Sequence, residues 1–522
     1  MNQSLLFYDG EIVTMTAAKP RAVLVENGKI AALGDFSALS ALSPQAEPVS
    51  LHGAALLPAF LDAHSHFTQV AYSLLQVSLA EVTTEEALIA AIQQETPRPG
   101  QWIIARDFDH NRLPGARRPA LAVLDAAAPN NPLVIQHQSG HMGFLNTPGL
   151  QALGITPQTT PPPGGRIEVA DGRLTGYVEE NAFFELLKRL PTPGETELLA
   201  AYQKAQTLYA SHGITTVQEG MLVEEMLPLY QLLLRREMLQ LDLVAYAGVD
   251  SLDAVKKALP EHLAGYRGHL KLGGLKIFLD GSPQGRTAWM RKPYEGTDFC
   301  GYPTMTDEAV LNAFLQAAEE KTQLLAHVNG DAAAAQYLRC LSQAEKKAPV
   351  LAELRPVIIH GQLMGKDQLI QAARLHTVIS FFVAHVYHWG DTHIRNFGME
   401  RASRISPAAS ALQLGIPVTF HQDSPVIPPD MLETIWCAAV RRTRAGITLG
   451  KDEAISPEEA LKSVTIRAAF QYGEEREKGS ITPGKYADLI ILDQNPLTVS
   501  PQDIPSIQVL ETYKEGLCIW SA

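Results

Sequence analysis

The chain has 522 residues, 46% of them hydrophobic, enough for a large core and for one large domain with a smaller companion. Lys and Arg total 43 against 56 Asp and Glu, a formal net charge of −13. That balance gives no electrostatic reason to bind nucleic acid or an anionic membrane, and no basic stripe or RNA-binding signature is present.

The N-terminus, MNQSLLFYDGEIVTM, lacks a basic segment followed by an apolar one, so it does not read as a signal peptide. No apolar run reaches the ~18 residues of a spanning helix. Cys300, Cys340, Cys437 and Cys518 are far apart and form no CxxC pair, which suits reduced thiols in a cytoplasmic protein. Residues 1–57 alternate apolar and polar over short runs broken at Asp9-Gly10 and Asn27-Gly28, both hairpin signals. The C-terminal segment looks similar, with ADLIILD at 487–493, then 507–513, then KEGLCIW. The two ends are expected to pair into one small β-sandwich (1–57 and 470–522) around a domain at 58–469.

Between the ends, short apolar runs alternate with helix-type stretches, the pattern of βα units. The expected strands are 59–66, 214–219, 241–248, 272–280, 324–328, 357–360, 378–383 and 418–423. Eight such strands predict an α/β fold, a (β/α)8 TIM-like barrel. A ninth candidate, PLVIQH at 132–137, falls in the interval 70–200, which reads as an insertion after the first barrel strand that covers the barrel mouth. TTPPPGG at 159–165 must be a loop. Trp102, Phe108, Phe144 and Tyr177 in the insertion either greet an apolar substituent or form ordinary core.

Four expected strands end in residues that bind metals: His64 and His66 on the first, His327 on the fifth, His360 on the sixth and Asp423 on the eighth. In a strand, His64 and His66 would point to one face. Alternation turns Leu275, Ile277 and Leu279 outward and Lys276 inward, where a bare ammonium is costly unless paired or modified. Active sites of such barrels lie at the C-terminal strand ends, so these residues should converge.

This set resembles the amidohydrolase superfamily, with HxH after the first strand, a lysine on the fourth, histidines on the fifth and sixth, and an aspartate on the eighth. RLTGYVEE at 173, LKIFLDGSPQGRTAW at 275, AHVNGDAA at 326, VIIHGQ at 357 and HQDSPVIPPD at 421 are similar to the branch that includes N-substituted formamide deformylases. The resemblance implies that His64, His66 and Asp423 hold a buried metal and that His327 and His360 hold an outer one. Lys276, carboxylated, would bridge them. Zinc, as one or two ions, suits the donors. Asp423 would be the catalytic base and then the acid. Ala59 and Glu219 depart from the family pattern, and Glu219 is also the carboxylate that would pair with an unmodified Lys276.

The resemblance also puts His141 near the pocket, and His385 and His388 follow the seventh strand at the mouth; His141 and His385 are the expected substrate contacts. His421 shares a face with Asp423 and is expected to orient a ligand. His52, His110, His212, His262, His269, His376 and His393 read as surface or packing residues. The expected function is hydrolysis of a linear N-substituted amide or formamide. Cyclic-amide opening or deamination on the same scaffold, and a catalytically silent binding protein, stay open. The expected partner is a small molecule, with no nucleic acid and no membrane; a homo-oligomer is compatible.

Overall fold

The computed structural model describes residues 4–94, 100–137, 142–263 and 265–522. The chain divides into two compact units, Met1–Val70 with Ala205–Ala522, and Ala71–Lys204.

The first unit is built on an eight-stranded sheet. Its strands, in chain order, are β1 (Phe60–Leu61), β2 (Ile214–Leu222), β3 (Asp242–Gly248), β4 (Leu270–Phe278), β5 (Gln323–Val328), β6 (Val357–His360), β7 (Val378–Phe381) and β8 (Val418–Phe420). Spatial order follows sequence order, and every pairing is parallel. Parallel neighbours require crossovers, which the helices between the strands supply. Beyond the ends of β1 and β8 the two edges meet: His66 N–H donates to Ser424 O (2.9 Å) and Asp423 N–H to His64 O (3.3 Å). The result is a TIM-like barrel. The strands are buried on both faces and read as near-continuous apolar runs, as parallel sheets do. Each fully buried Leu, Ile or Val contributes about 1.5–3 kcal/mol.

Two strands end before the candidate ligands that the sequence places on them. The run 59–66 is a strand only over Phe60–Leu61, so His64 and His66 lie on the segment after it, where His66 makes a lone bridge to Glu219. Asp62 explains the break, because its buried carboxylate accepts the His64 N–H (3.3 Å) and bends the chain. β8 stops at Phe420, and Asp423 sits beyond it at φ +54°.

Terminal segments form two further sheets in this unit. One is Lys29–Gly34, Ala22–Glu26, Leu5–Tyr8 and Glu47–Ser50; the other is Glu11–Ile12, Ala55–Pro58, Leu489–Leu492, Val509–Lys514 and Leu517–Ser521. Leu5, Phe7, Val23, Leu56, Leu489, Ile491 and Tyr513 share one core between them. The Asn27-Gly28 turn closes a hairpin, with φ +53° and +75°. The Asp9-Gly10 turn does not. Leu5–Tyr8 pairs with Ala22–Glu26, whereas Glu11–Ile12 pairs with Ala55–Leu56 in the other sheet. A Cβ on Gly10 would lie 2.3 Å from Ala54 O, so glycine serves a close crossing between sheets here rather than a hairpin.

In the second unit, a six-stranded sheet has the order Gly165–Ala170, Arg173–Glu180, Met142–Leu145, Leu133–His137, Ile103–Phe108, Val77–Ser78. The ninth candidate strand, at 132–137, belongs to this sheet. Phe108, Phe144 and Tyr177 are buried in its core with Leu88, Ile92 and Leu133. Trp102 packs against a second cluster around Leu145 and Phe183. These aromatics are core, not an apolar substrate surface.

A buried ionic network ties the barrel to the terminal strands. Lys478 Nζ lies 2.5 Å from Asp242 and 2.8 Å from Glu474, and Lys514 Nζ lies 2.8 Å from Asp242 and 3.0 Å from Asp488. Burial alone would raise the Asp242 and Glu474 carboxyls, but the lysines outweigh it and hold both below the usual range. Depressed carboxyls contribute stability above their unfolded pKa of about 4 and lose it as pH falls toward their folded values. The urea midpoint should therefore fall between pH 6 and pH 3. Lys478→Met, which strands buried charge, should cost about 3–5 kcal/mol at pH 7 in the same unfolding measurement.

Candidate metal centre

The C-terminal ends of the barrel strands bring His64, His66, Lys276, His327, His360, His421 and Asp423 together. Asp423 Oδ1 faces His66 Nε2 at 3.3 Å and His64 Nε2 at 3.4 Å. His360 Nε2 lies 4.0 Å from Asp423 Oδ2 and 3.0 Å from His327 Nδ1. Lys276 Nζ is 3.1 Å from His64 Nε2.

Neighbouring side chains settle the tautomer of His64. The Gln218 amide donates to Ala63 O (2.9 Å) and reaches the Tyr472 hydroxyl (3.1 Å), which turns its Oε1 toward His64. His64 Nδ1–H donates to that oxygen (2.5 Å), leaving the lone pair of Nε2 aimed at Asp423 and Lys276. Sequence reasoning missed Gln218; the signal was its place next to Glu219, where the expected strand 214–219 ends. Glu219 accepts from Thr68 N–H (2.9 Å) and Tyr230 O–H (2.7 Å) beside the His66 bridge, so it is engaged away from Lys276.

His421 shares a hydrogen bond with Ser380 Oγ through Nδ1 (2.7 Å), and its Nε2 meets His360 Nδ1 at 3.1 Å, so it contacts a candidate ligand from behind. His327 is held through Nε2 by Asn329 (3.0 Å) and Gly281 O (3.3 Å). Asp280, also unforeseen, accepts the N–H groups of Asn329, Gly330 and Trp289, which fixes the loop that carries this contact.

Burial sets the electrostatics. It lowers His64 well below the ordinary histidine range, with Lys276 adding to the effect, and lowers His327 to about 4 for the same two reasons. Burial and then His327 lower His360 well below the ordinary range, and burial lowers His421 to about 3. Lys276 falls to about 7 because it is buried. Burial would raise Asp423, but His66, His360 and His64 outweigh it and keep the carboxylate ionised. Neutral imidazoles around an anion are the protonation states in which these groups ligate a cation.

The donors fit a divalent ion. Asp423 Oδ1 is buried and makes no hydrogen bond of normal geometry among the described residues, although two imidazole nitrogens face it. Separations of 3.3 and 3.4 Å match the edge of a tetrahedron with metal–ligand arms of ~2.0–2.1 Å, and exceed the ~2.7–2.9 Å of a charge-assisted hydrogen bond. His64, His66 and Asp423 all lie within 4.8 Å of one another. His360 and Asp423 are held at φ +78° and +54°, a conformation costing about 1–3 kcal/mol that persists where function requires it.

His385 Nδ1 meets His393 Nε2 at 3.1 Å, and its ring packs 4.6 Å from Phe382 and 4.5 Å from Trp389. His393 was expected only to pack; its nitrogen holds His385. His388 is taken up by Glu433 (2.8 Å) and Arg444 (3.0 Å). His141 lies outside the described residues.

A barrel with histidines and an aspartate converging at its strand ends is the architecture of a metal-dependent hydrolase. The chain belongs to the Amidohydrolase family, whose model it matches over residues 47–519, and it is an enzyme of that hydrolase class. It is 27% identical to the N-substituted formamide deformylase of Arthrobacter pascens, over 99% of this chain and 98% of that protein. It is 26% identical to YtcJ of Bacillus subtilis, an amidohydrolase by name, over 99% of each. An uncharacterised metal-dependent hydrolase from Pyrococcus horikoshii superposes with a TM-score of 0.78 at 25% identity, covering 96% of this chain and 99% of that one.

Gln218→Ala should free the His64 ring and weaken metal retention about 10–100-fold while leaving the fold intact. Zinc remaining after timed exposure to a chelator, beside circular dichroism, checks it.

Proposed function

We propose that the protein hydrolyses a linear N-substituted amide, most concretely an N-substituted formamide. The observation that carries the reading is the His64–His66–Asp423 cluster with His327 and His360 beside it. The 27% identity over whole chains to a protein named for formamide deformylation directs the choice of substrate.

His64, His66 and Asp423 would hold one ion, and His327 and His360 a second, with zinc the expected metal. The ion, when bound, supplies a Lewis acid for the carbonyl and lowers the pKa of water toward ~7. Lys276 would carry carbon dioxide as a carbamate: its neutral amine nitrogen adds to the carbon and loses a proton, which would supply an anionic oxygen donor beside His64. Its depressed pKa, near 7, supplies the neutral amine this needs.

Asp423 then accepts a proton from the attacking water and returns it to the nitrogen of the leaving amine, as base and then acid. The low basicity that His66, His360 and His64 impose keeps it ionised for the first transfer. His385, held through Nδ1 by His393, would contact the substrate. His141 is proposed as a second substrate contact. Four free cysteines accord with a reducing, cytoplasmic setting. Among the described residues, no helix is long and apolar enough to cross a membrane.

A panel of N-substituted formamides, longer N-acyl amides, cyclic amides and amino-heterocycles tests the substrate. Formate and a free amine should appear with the formamides. Ammonia release from a ring would mark deamination instead, and metal-loaded protein inert to the whole panel would remove the catalytic reading. Asp423→Asn should cost about 10²–10⁴-fold in kcat, the range of a general acid–base contribution, with zinc content measured in parallel. Native mass spectrometry should find wild type heavier than Lys276→Ala by one carbon dioxide beyond the side-chain difference.

A further inference from the structure

The unit Ala71–Lys204 holds a second cluster of metal-binding residue types, made of Asp109, His110 and His137. We infer that these three residues bind a divalent metal ion, zinc by donor type, at a site belonging wholly to this unit.

Topology builds the cluster. Ile103–Phe108 and Leu133–His137 are neighbouring parallel strands, with Phe108 opposite His137 in the register. Asp109 and His110 follow the end of the first strand and His137 ends the second. The crevice beyond the carboxyl ends of adjacent parallel strands is where open sheets bind ligands. Asp107 at φ +63° and the short 3₁₀ turn His110–Arg112 bend the chain across this edge. Phe108 is fully buried beneath, and Phe144 lies 6.4 Å from the His110 ring, so the base of the site is apolar.

One ligand atom from each residue lies within 4.8 Å of the others. His137 Nε2 is 3.3 Å from Asp109 Oδ1, and the two imidazole rings are 5.0 Å apart between centres. The His137–Asp109 contact is a hydrogen bond, and its 3.3 Å also matches the edge of a tetrahedron with ~2.0–2.1 Å arms. His110 Nδ1 is buried and makes no hydrogen bond among the described residues. A buried polar atom so placed costs about 1–3 kcal/mol.

A third cluster shows the contrast. Asp242, His269 and Glu515 are also close together, but Lys478 and Lys514 lie 2.5 and 2.8 Å from the Asp242 carboxylate and already neutralise it. Two imidazoles and one carboxylate, by comparison, form the three-ligand set of zinc sites that leave a fourth position for water or a ligand.

The test counts zinc per chain by mass spectrometry in full-length protein loaded with zinc and then gel-filtered. His64→Ala/His66→Ala should lose the ion that those two residues hold in the barrel and keep one equivalent in the Ala71–Lys204 unit. Adding Asp109→Asn, which preserves the side-chain shape, should remove that equivalent. Zinc should raise the melting temperature of the double variant and not of the triple. His110→Ala in the wild-type background should hold one equivalent less than wild type. Equal zinc content in the double and triple variants, or an equal thermal shift in both, overturns the inference. Loss of the barrel zinc is read separately, from wild type against the double variant.

Discussion

Everything in the barrel turns on a carboxylate that is buried among imidazoles without being satisfied by them. Asp423 Oδ1 sees two Nε2 atoms at distances too long for strong hydrogen bonds and right for two corners of a coordination shell. Buried charge is tolerated only when paired or coordinated. The site therefore needs a cation, and its supports are arranged to keep that need open. Gln218 fixes the His64 tautomer, His421 backs His360, and Asp280 holds the loop that contacts His327.

Backbone geometry serves the same end. Parallel strands deliver all their C-terminal ends to one rim, so side chains from β4, β5, β6 and the segments after β1 and β8 meet although they are far apart in sequence. Burial at that rim lowers His64, His327, His360 and Lys276, and Asp423 beside them stays below the usual carboxylate range. One environment thus prepares neutral nitrogen ligands, an anionic oxygen ligand and a reactive amine.

Much of this was legible in the sequence, because the barrel strands are short apolar runs ending in chemistry. The ligand types His64, His66, His327, His360 and Asp423 could be named from their places at those ends. Strand lengths were less legible. Alternation argues for His64 and His66 on a strand, but the Asp62 carboxylate takes the His64 N–H and ends the strand early, a tertiary contact that periodicity does not encode. The Asp9-Gly10 turn failed for a related reason: the dipeptide signals a bend but not which sheet follows it. Gln218, Asp280 and His393 have no motif of their own and become visible only through what they hold. His110, read from sequence as a packing residue, gains meaning only when two parallel strands place it beside Asp109 and His137.

The central claim is that the barrel rim grips a divalent ion through residues far apart along the chain. Anomalous diffraction at the zinc edge, from crystals of the zinc-loaded full-length protein, tests it most directly. The account predicts a peak bonded at ~2.0–2.2 Å to His64 Nε2, His66 Nε2 and an Asp423 oxygen. A zinc-loaded crystal with no peak among those three side chains would contradict it.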